Sequence, residues 1–129
     1  YKEYQKSFVF EGEEGEKKIG DTMEALRNNP PSEISGGKVF LIKDYKLQKE
    51  KDLKNGTEAD IKGLPVSNVL QFYTDNGIKI SARPSGTEPK IKFYFQIKQP
   101  FAGSLEENEK KLDEKFEKAS DDFFRLIGF

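Results

Sequence analysis

Short stretches of the chain alternate between apolar and polar residues, which predicts β-strands. The clearest is 91–98, where one face would carry Ile91, Phe93, Phe95 and Ile97 and the other Lys92, Tyr94, Gln96 and Lys98. Four further stretches are typical of strands, at residues 7–10, 39–42, 68–74 and 78–83. The pattern therefore predicts up to five strands, with 7–10 at an edge of the sheet.

Two other stretches have the spacing of amphipathic helices. The first contains apolar residues separated by four and then three positions, namely Ile19, Met23 and Leu26. It is expected to end at Asn28-Asn29-Pro30-Pro31, because proline disfavours helical geometry in the residue before it. A second helix is predicted after Ser104, which forms a capping-box pattern with Glu107. Its expected apolar face consists of Leu105, Leu112, Phe116, Ala119, Phe123 and either Leu126 or Ile127.

The segment from Lys43 to Gly63 interrupts this pattern. It is polar and contains a Lys- and Glu-rich run through which no helical face can be drawn, so we interpret it as an excursion loop at the surface. The remaining elements fit an antiparallel sheet of four to five strands covered on one face by two helices, which is an α+β fold. At 129 residues the chain is expected to form a single domain, 1–129.

Composition and charge exclude several classes of function. With 22 basic and 23 acidic residues the formal net charge is −1, which argues against a nucleic-acid partner. The chain has no Cys and no His, which excludes disulfides, thiol nucleophiles and imidazole catalysis. No apolar run approaches the roughly 20 residues that span a bilayer, so no membrane partner is expected. The lack of Cys is compatible with the cytoplasm, where we expect the protein to be located.

The segment Arg83-Pro84-Ser85-Gly86-Thr87-Glu88-Pro89-Lys90 joins the last two predicted strands and has charges suited to binding an anion. Arg83 can hold two phosphate oxygens at once with its planar guanidinium, and Lys90 adds a second positive charge. Glu88 is the exception, because a carboxylate beside a bound phosphate is repulsive. We therefore expect Glu88 to turn away from the ligand and to pair with Lys90 or another cation.

The neutral residues of the same segment can donate hydrogen bonds to an anion. Ser85 and Thr87 provide hydroxyl groups, and Gly86 is expected to adopt a backbone conformation that lets successive amides point into one concave site. Gly, Pro and Ser are also the residues of ordinary turns. Composition alone therefore leaves two interpretations open, an anion-binding loop and a polar turn.

The stretch Ser-Ala-Arg-Pro-Ser-Gly-Thr-Glu-Pro-Lys-Ile-Lys-Phe-Tyr, residues 81–94, resembles the C-terminal phosphate-binding signature of the α-D-phosphohexomutase superfamily, which includes phosphoglucomutases and phosphomannomutases. Asn68-Val69-Leu70 and the closing helix also fit that domain, so the resemblance covers the whole chain. It implies a TATA-box-binding-protein-like fold without a DNA function. It also implies that the phosphate of a hexose phosphate is bound by Arg83, Ser85, Gly86 and Thr87, with Lys90 as a further contact.

The resemblance further implies that the chemistry takes place outside this sequence. Family members move a phosphoryl group between the 1- and 6-positions of a hexose through a phosphoserine, with Mg²⁺ and a glucose 1,6-bisphosphate-type activator. The Thr-Ala-Ser-His-Asn-Pro-like serine segment and the Asp-Gly-Asp-x-Asp-Arg magnesium loop are absent here. We therefore expect no catalytic residue, no metal ligand and no cofactor in this domain. Gly12-Glu13-Glu14-Gly15 only superficially resembles the family's sugar-selecting loop and is interpreted as a linker or helix start.

The chain is expected to be one part of a larger protein. It begins with Tyr1, and its only methionine is Met23. We expect 1–129 to be the C-terminal domain of a phosphohexomutase, inactive alone, with residues 1–6 as a hinge or linker remnant. Its partners would be glucose or mannose phosphates and the other domains of the parent chain. The alternative is a freestanding interaction module that binds phosphorylated or acidic partners.

Overall fold

One layer of the protein is an antiparallel sheet and the other is a pair of helices. The computed structural model describes residues 1–101 and 103–129. The strands are β1 (Lys2–Val9), β2 (Glu33–Ile34), β3 (Gly37–Asp44), β4 (Lys49–Asp52), β5 (Thr57–Asp60), β6 (Leu70–Thr74), β7 (Ile78–Pro84) and β8 (Lys90–Ile97). The helices are α1 (Gly12–Asn28) and α2 (Leu105–Ile127). Neither helix contains an apolar stretch long enough to cross a membrane, as judged over these residues.

The sheet has the order β1-β8-β7-β6-β3-β4-β5, and β2 pairs with β3 off this path. Each of these pairings is antiparallel. The prediction of an α+β, TATA-box-binding-protein-like fold is confirmed. The sheet is nevertheless larger than the four to five strands predicted, because the segment 43–63 contains a hairpin, β4–β5, and is not an excursion loop.

The β4–β5 hairpin pairs through its backbone, carries opposite charges at facing positions and has no apolar face. All four residues of β5 are exposed. Lys49 forms an ion pair with Asp60 across the hairpin, and Lys51 lies opposite Glu58. Opposite charges facing each other contribute about 0.2–1 kcal/mol per pair, and charges on an edge strand oppose association with other sheets. Such a hairpin leaves no apolar alternation in the sequence.

The edge strand β1 is longer than the sequence indicated. It pairs with β8 along its whole length, which extends the strand predicted at 7–10 to include residues 2–6. Only Tyr4 and Phe8 of this strand pack against the core. The Tyr4 ring stacks on the Phe116 ring of α2 with centroids 4.0 Å apart. Polar residues between these two aromatics hide the strand in the sequence.

The core lies between the helices and the covered face of the sheet. Its largest fully buried side chains are Phe72, Phe93, Phe95, Phe123 and Met23. The apolar faces predicted for 78–83 and 91–98 are confirmed, because their Ile, Phe and Ala residues are buried. The helix end at Asn28 and the start at Gly12–Gly15 also agree with the sequence.

The predicted apolar face of α2 is confirmed except at Leu105. Ser104 Oγ accepts a hydrogen bond from the Glu107 amide at 3.2 Å, which confirms the N-cap. Leu105, in the first turn, is 78% exposed and does not belong to the buried face. At the other end Ile127 packs against the core, while Leu126 is 59% exposed.

Candidate functional site

The loop between β7 and β8 is closed by backbone hydrogen bonds near its base. The Ser85 amide donates to the Lys90 carbonyl at 2.8 Å, which continues the ladder between the two strands. Across Pro89, the Lys90 amide donates to the Glu88 carbonyl at 2.7 Å, which makes a three-residue γ-turn. These bonds leave Gly86 and Thr87 at the exposed tip of the loop.

The Ser85 hydroxyl is the shared hydrogen-bond acceptor of two backbone amides at the loop tip. Its Oγ accepts hydrogen bonds from the amides of Thr87 and Glu88, at 3.4 and 3.3 Å. Successive N–H groups that point at one oxygen form the kind of concave surface that binds anions. Both bonds are at the long end of the hydrogen-bonding range and are therefore weak. A phosphate oxygen can consequently compete for these two amides at little energetic cost.

Strand β1 and helix α1 support the loop from one side. The Phe10 amide, just after β1, donates to the Pro89 carbonyl at 2.8 Å. Gly15, in the first turns of α1, packs closely against Phe10, and a Cβ at Gly15 would lie 2.6 Å from Phe10 Cβ. The Phe10 ring also meets the Phe129 ring edge-on, with centroids 5.4 Å apart. The loop is therefore tied to the body of the domain.

The face of the sheet opposite the helices presents three cations beside the loop. Arg83 on β7 lies opposite Lys92 on β8. Lys90 falls on the same face as Lys92, because side chains along a strand alternate with a period of two. The buried residues next to them in sequence, such as Ile91, occupy the other face. We call Arg83, Lys90 and Lys92 the cation cluster.

A cavity of about 390 Å³ lies between the loop and the cation cluster. It is lined by four of the five residues predicted from the sequence, Arg83, Ser85, Gly86 and Lys90. The fifth, Thr87, is not part of the lining and contributes its backbone amide to Ser85 Oγ. Glu88, Lys92 and Tyr94 complete the polar part of the wall.

The cation cluster has no acidic partners in the part of the chain that the structure describes. The ion pairs there involve other basic residues, including Lys2, Arg27 and Lys49. Three unpaired cations close together produce a positive local potential even though the chain as a whole is slightly acidic. Even with the Glu88 carboxylate in the same lining, an anion that entered the cavity would therefore meet an excess of positive charge.

The predicted ion pair between Glu88 and Lys90 is not formed among residues 1–101 and 103–129. Glu88 is exposed and lines the cavity with Lys90, so the expectation that it turns away and pairs with a cation was wrong. The physical reason is that an ion pair in contact with water contributes only about 0–1 kcal/mol. Such a gain is too small to fix two flexible side chains.

The expected role of Gly86 also needs correction. Its backbone is not in the left-handed region that favours glycine, unlike Gly77, whose φ is +85°. A Cβ added at Gly86 would have no atom within 4 Å. The backbone conformation therefore does not require glycine at this position. What the missing side chain provides is open space next to the cavity.

The comparison with protein families decides where this chain belongs. Residues 13–101 match the family described as phosphoglucomutase/phosphomannomutase, C-terminal domain. The chain belongs to this family. The matched region contains nearly all of α1, strands β2 to β8, the loop and the cation cluster. The resemblance predicted from residues 81–94 is thus confirmed.

Curated relatives of the chain include phosphoglucomutases from staphylococci. The chain is 47% identical to the phosphoglucomutase of Staphylococcus aureus over 94 residues, which is 73% of this chain and 17% of that protein. It is 44% identical to the Staphylococcus epidermidis phosphoglucomutase over 91 residues, 70% of this chain and 16% of that protein. The identity to the Staphylococcus haemolyticus phosphoglucomutase is 42% over 97 residues. The matched part of this chain spans 16–17% of the length of these relatives.

Two lining residues of this C-terminal domain were not assigned a role from the sequence, Lys92 and Tyr94. The alternation of 91–98 did place both on the polar face of their strand. What the sequence lacked was the register that sets Lys92 opposite Arg83 and Tyr94 opposite Ser81. A shift of the pairing by one residue would have turned both side chains to the other face.

Proposed function

We propose that this domain binds the phosphate group of a hexose phosphate at the loop and the cation cluster. The observation that carries the proposal is the meeting of three unpaired cations, Arg83, Lys90 and Lys92, with a loop whose Thr87 and Glu88 amides converge on one oxygen. Membership of the phosphoglucomutase/phosphomannomutase family supports a sugar phosphate as the ligand. It also favours this function over a freestanding interaction module.

Each residue of the site has a distinct task in this proposal. The Arg83 guanidinium binds two phosphate oxygens at once. Lys90 and Lys92 neutralise the rest of the charge of the dianion, and Ser85 supplies its hydroxyl. The amides of the loop tip, next to the open space at Gly86, bind another oxygen. Hydrogen bonds to charged groups contribute about 1.5–3 kcal/mol each, so the isolated domain should bind free phosphate weakly, with a Kd of about 1 mM.

The contribution to catalysis would be positioning. In the parent enzyme that we propose, a phosphoryl group moves between the 1- and 6-positions of glucose or mannose phosphates. If this domain fixes one phosphate, the other end of the sugar can be presented to the phosphorylated serine of another domain, in either orientation. Rotation of the domain about its connection to the others would close the site over the substrate. The domain alone would therefore be inactive.

The cofactors of the proposed parent would bind outside this domain. No group of three Asp, Glu, His or Cys side chains within the described ranges is arranged to hold a metal ion. The residues present therefore do not fit the magnesium ion that the family resemblance implies, and no step assigned to this domain passes through it. We propose that Mg²⁺ and a glucose 1,6-bisphosphate-type activator act on the other domains of a cytoplasmic enzyme.

Titration of the isotope-labelled chain with inorganic phosphate tests the phosphate site. Amide NMR shifts should be concentrated at residues 83–92, with the largest changes at Thr87 and Glu88, whose amides change partner. In the variant Arg83→Ala the same amide resonances should shift much less at the same phosphate concentration. Lys98→Ala is the matched control, since Lys98 follows β8 and is exposed outside the cavity. Shifts of equal size in both variants would exclude the proposed site.

A further inference from the structure

The wall of the phosphate cavity contains one carboxylate that the proposed function does not use. Glu88 lines the cavity together with the cation cluster. Its side chain is exposed and forms no ion pair within the part of the chain that the structure describes. Because like charges repel, Glu88 lowers the affinity of the cavity for every anion. A site that only had to bind phosphate tightly would be better without it.

The backbone keeps Glu88 at the rim of the cavity. The Glu88 carbonyl accepts a hydrogen bond from the Lys90 amide at 2.7 Å. Pro89, which lies between these two residues, has a fixed φ, and its own carbonyl accepts a hydrogen bond from the Phe10 amide at 2.8 Å. None of these groups is an amide that the phosphate would take over. The carboxylate can therefore change rotamer, but its charge stays close to a bound anion.

The charges of the wall correspond to those of a single phosphate group. The three cations of the cation cluster and the one carboxylate of Glu88 leave an excess of two positive charges. A phosphate group on an alcohol carries about −1.5 to −2 charges at pH 7, so its complex with this wall is close to neutral. Two or three linked phosphate groups carry more negative charge, and part of that charge would remain uncompensated beside Glu88.

The shape of the cavity gives no comparable discrimination. Its outer side is formed by the tip of the loop, where Gly86 and Thr87 are exposed, and no atom lies within 4 Å of the place that a Cβ of Gly86 would occupy. A second phosphate group attached to the first can extend through this opening. Discrimination against longer phosphates at this site therefore has to come from charge.

We propose that Glu88 is a specificity-determining residue that disfavours pyrophosphate and other polyphosphates at the site. This inference rests on the proposed function, because it requires the phosphate of a hexose phosphate to bind at the cation cluster. A binding site can select its ligand by repelling the competitor as well as by attracting the ligand. The repulsion from Glu88 grows in proportion to the charge of the ligand, so it weakens the binding of pyrophosphate more than that of a single phosphate.

Titrations of the wild-type chain and of Glu88→Gln with inorganic phosphate and with pyrophosphate test this inference. Amide NMR shifts of the loop are followed at constant pH without metal ions. Glu88→Gln should bind phosphate about fivefold and pyrophosphate about tenfold more tightly than the wild type. Both gains should shrink when salt is added, because exposed charges are screened. Glu88→Asp keeps the charge and should have affinities close to those of the wild type.

The matched control is Glu117→Gln, which removes the same charge from an exposed position of α2 outside the cavity and should change neither affinity. Glu88→Ala removes the charge as well and should give the same gains if Glu88→Gln does not fold. Unchanged or weaker binding by Glu88→Gln, or an equal gain for the two anions, would overturn this inference while the phosphate site stands. If neither anion shifts the loop of the wild type, the proposed function and this inference fail together.

Discussion

Arg83 on β7 lies directly opposite Lys92 on β8, and both line the cavity on the uncovered face of the sheet. Like charges that face each other across two strands destabilise a sheet. Neither residue has an acidic partner among residues 1–101 and 103–129. The pairing therefore lowers the stability of the fold by an amount that a bound phosphate would relieve.

Replacing Lys92 should have opposite effects on stability and on binding. In phosphate-free buffer, Lys92→Ala should raise the free energy of unfolding by about 0.2–1 kcal/mol, because the repulsion with Arg83 is removed. The same variant should show a smaller increase in Tm when phosphate is added, because ligand binding stabilises only the folded state. Thermal unfolding with and without phosphate measures both effects. A less stable Lys92→Ala with a wild-type response to phosphate would contradict the role of this pair, and Lys98→Ala should change neither quantity.

Substitution of Gly86 should separate folding from binding. Gly86→Ala should leave stability unchanged or raise it by about 0.4–1 kcal/mol, because the native backbone accepts alanine and the unfolded chain loses freedom. It should weaken phosphate binding, because the new methyl group enters the space beside the cavity. Gly77→Ala is the contrast: φ is +85° there and a Cβ would lie 2.6 Å from the Lys98 carbonyl oxygen. Urea unfolding should show a lower free energy of unfolding for Gly77→Ala and not for Gly86→Ala. An equal decrease in both variants would show that Gly86 is needed for the fold.

Arg27, whose side chain is buried, should be among the polar residues whose replacement lowers the free energy of unfolding most. Its Nε donates to Asp44 at 2.8 Å and its NH2 group to the Asn68 side chain at 2.8 Å, which joins the end of α1 to the ends of β3 and β6. The Arg27 and Asp44 side chains are only 7% and 10% exposed. Arg27→Ala should therefore cost about 3–5 kcal/mol in urea unfolding, because it leaves a buried carboxylate without its partner.

The control for Arg27 is the other ion-paired arginine of a helix end. Arg27 also pairs with Glu24, three residues before it, at 3.2 Å. Arg125 pairs in the same way with Asp122, but the Arg125 side chain is 80% exposed. Arg125→Ala should change the free energy of unfolding by no more than about 0.5 kcal/mol. A similar decrease in the free energy of unfolding for the two variants would mean that burial does not decide the strength of these ion pairs.

Acid should weaken the attachment of β1 to α2. Asp113 accepts hydrogen bonds from the Tyr4 hydroxyl and from Lys2, in that order of importance, and both lower the pKa of its carboxyl below the ordinary value of 3.8. A lowered pKa in the folded state means that this stabilisation is complete above about pH 4 and is lost as the pH falls through the folded-state pKa. Asp113→Asn should therefore flatten the fall of stability below pH 4.

Urea unfolding at a series of pH values checks this prediction. Asp121→Asn, at an exposed position of the same helix, should keep the wild-type slope. Stability curves for wild type and Asp113→Asn that run parallel through the acidic range would show that the carboxylate does not hold β1. The pKa of Tyr4 is raised, first by burial and then by its bond to Asp113, so the stabilisation linked to its hydroxyl is complete below the ordinary pKa of 10.0 and is lost only at strongly alkaline pH.

The parts of the fold that could be predicted are those in which burial leaves a periodic pattern. Strand β8 alternates because Phe93 and Phe95 enter the core while Lys92 and Tyr94 do not. The β4–β5 hairpin leaves no such pattern, because no face of it is buried and opposite charges such as Lys49 and Asp60 occupy its facing positions. Strand β1 was largely missed for a related reason, since most of its residues are exposed and its partner is the distant strand β8.

For the site, residue types could be predicted but their spatial relationships could not. Arg83 and Ser85 were identified because their side chains suit an anion wherever the backbone places them. Lys92 becomes a neighbour of Arg83 only through the pairing of two strands, which the sequence does not state. The backbone conformation of Gly86 and the position of Glu88 depend on the closed loop, and both expectations failed there.

The central claim is that Arg83 binds the substrate phosphate in a phosphohexomutase. Its most direct test is the steady-state kcat/KM of the full-length enzyme in which we place this domain, measured for wild type, Arg83→Ala and the control Lys98→Ala. Loss of a charged contact to a phosphate enclosed in the active site should lower kcat/KM by a factor of about 30 to 1,000, which corresponds to about 2–4 kcal/mol. Lys98→Ala should retain the wild-type value, and an Arg83→Ala enzyme with unchanged kcat/KM would contradict the account.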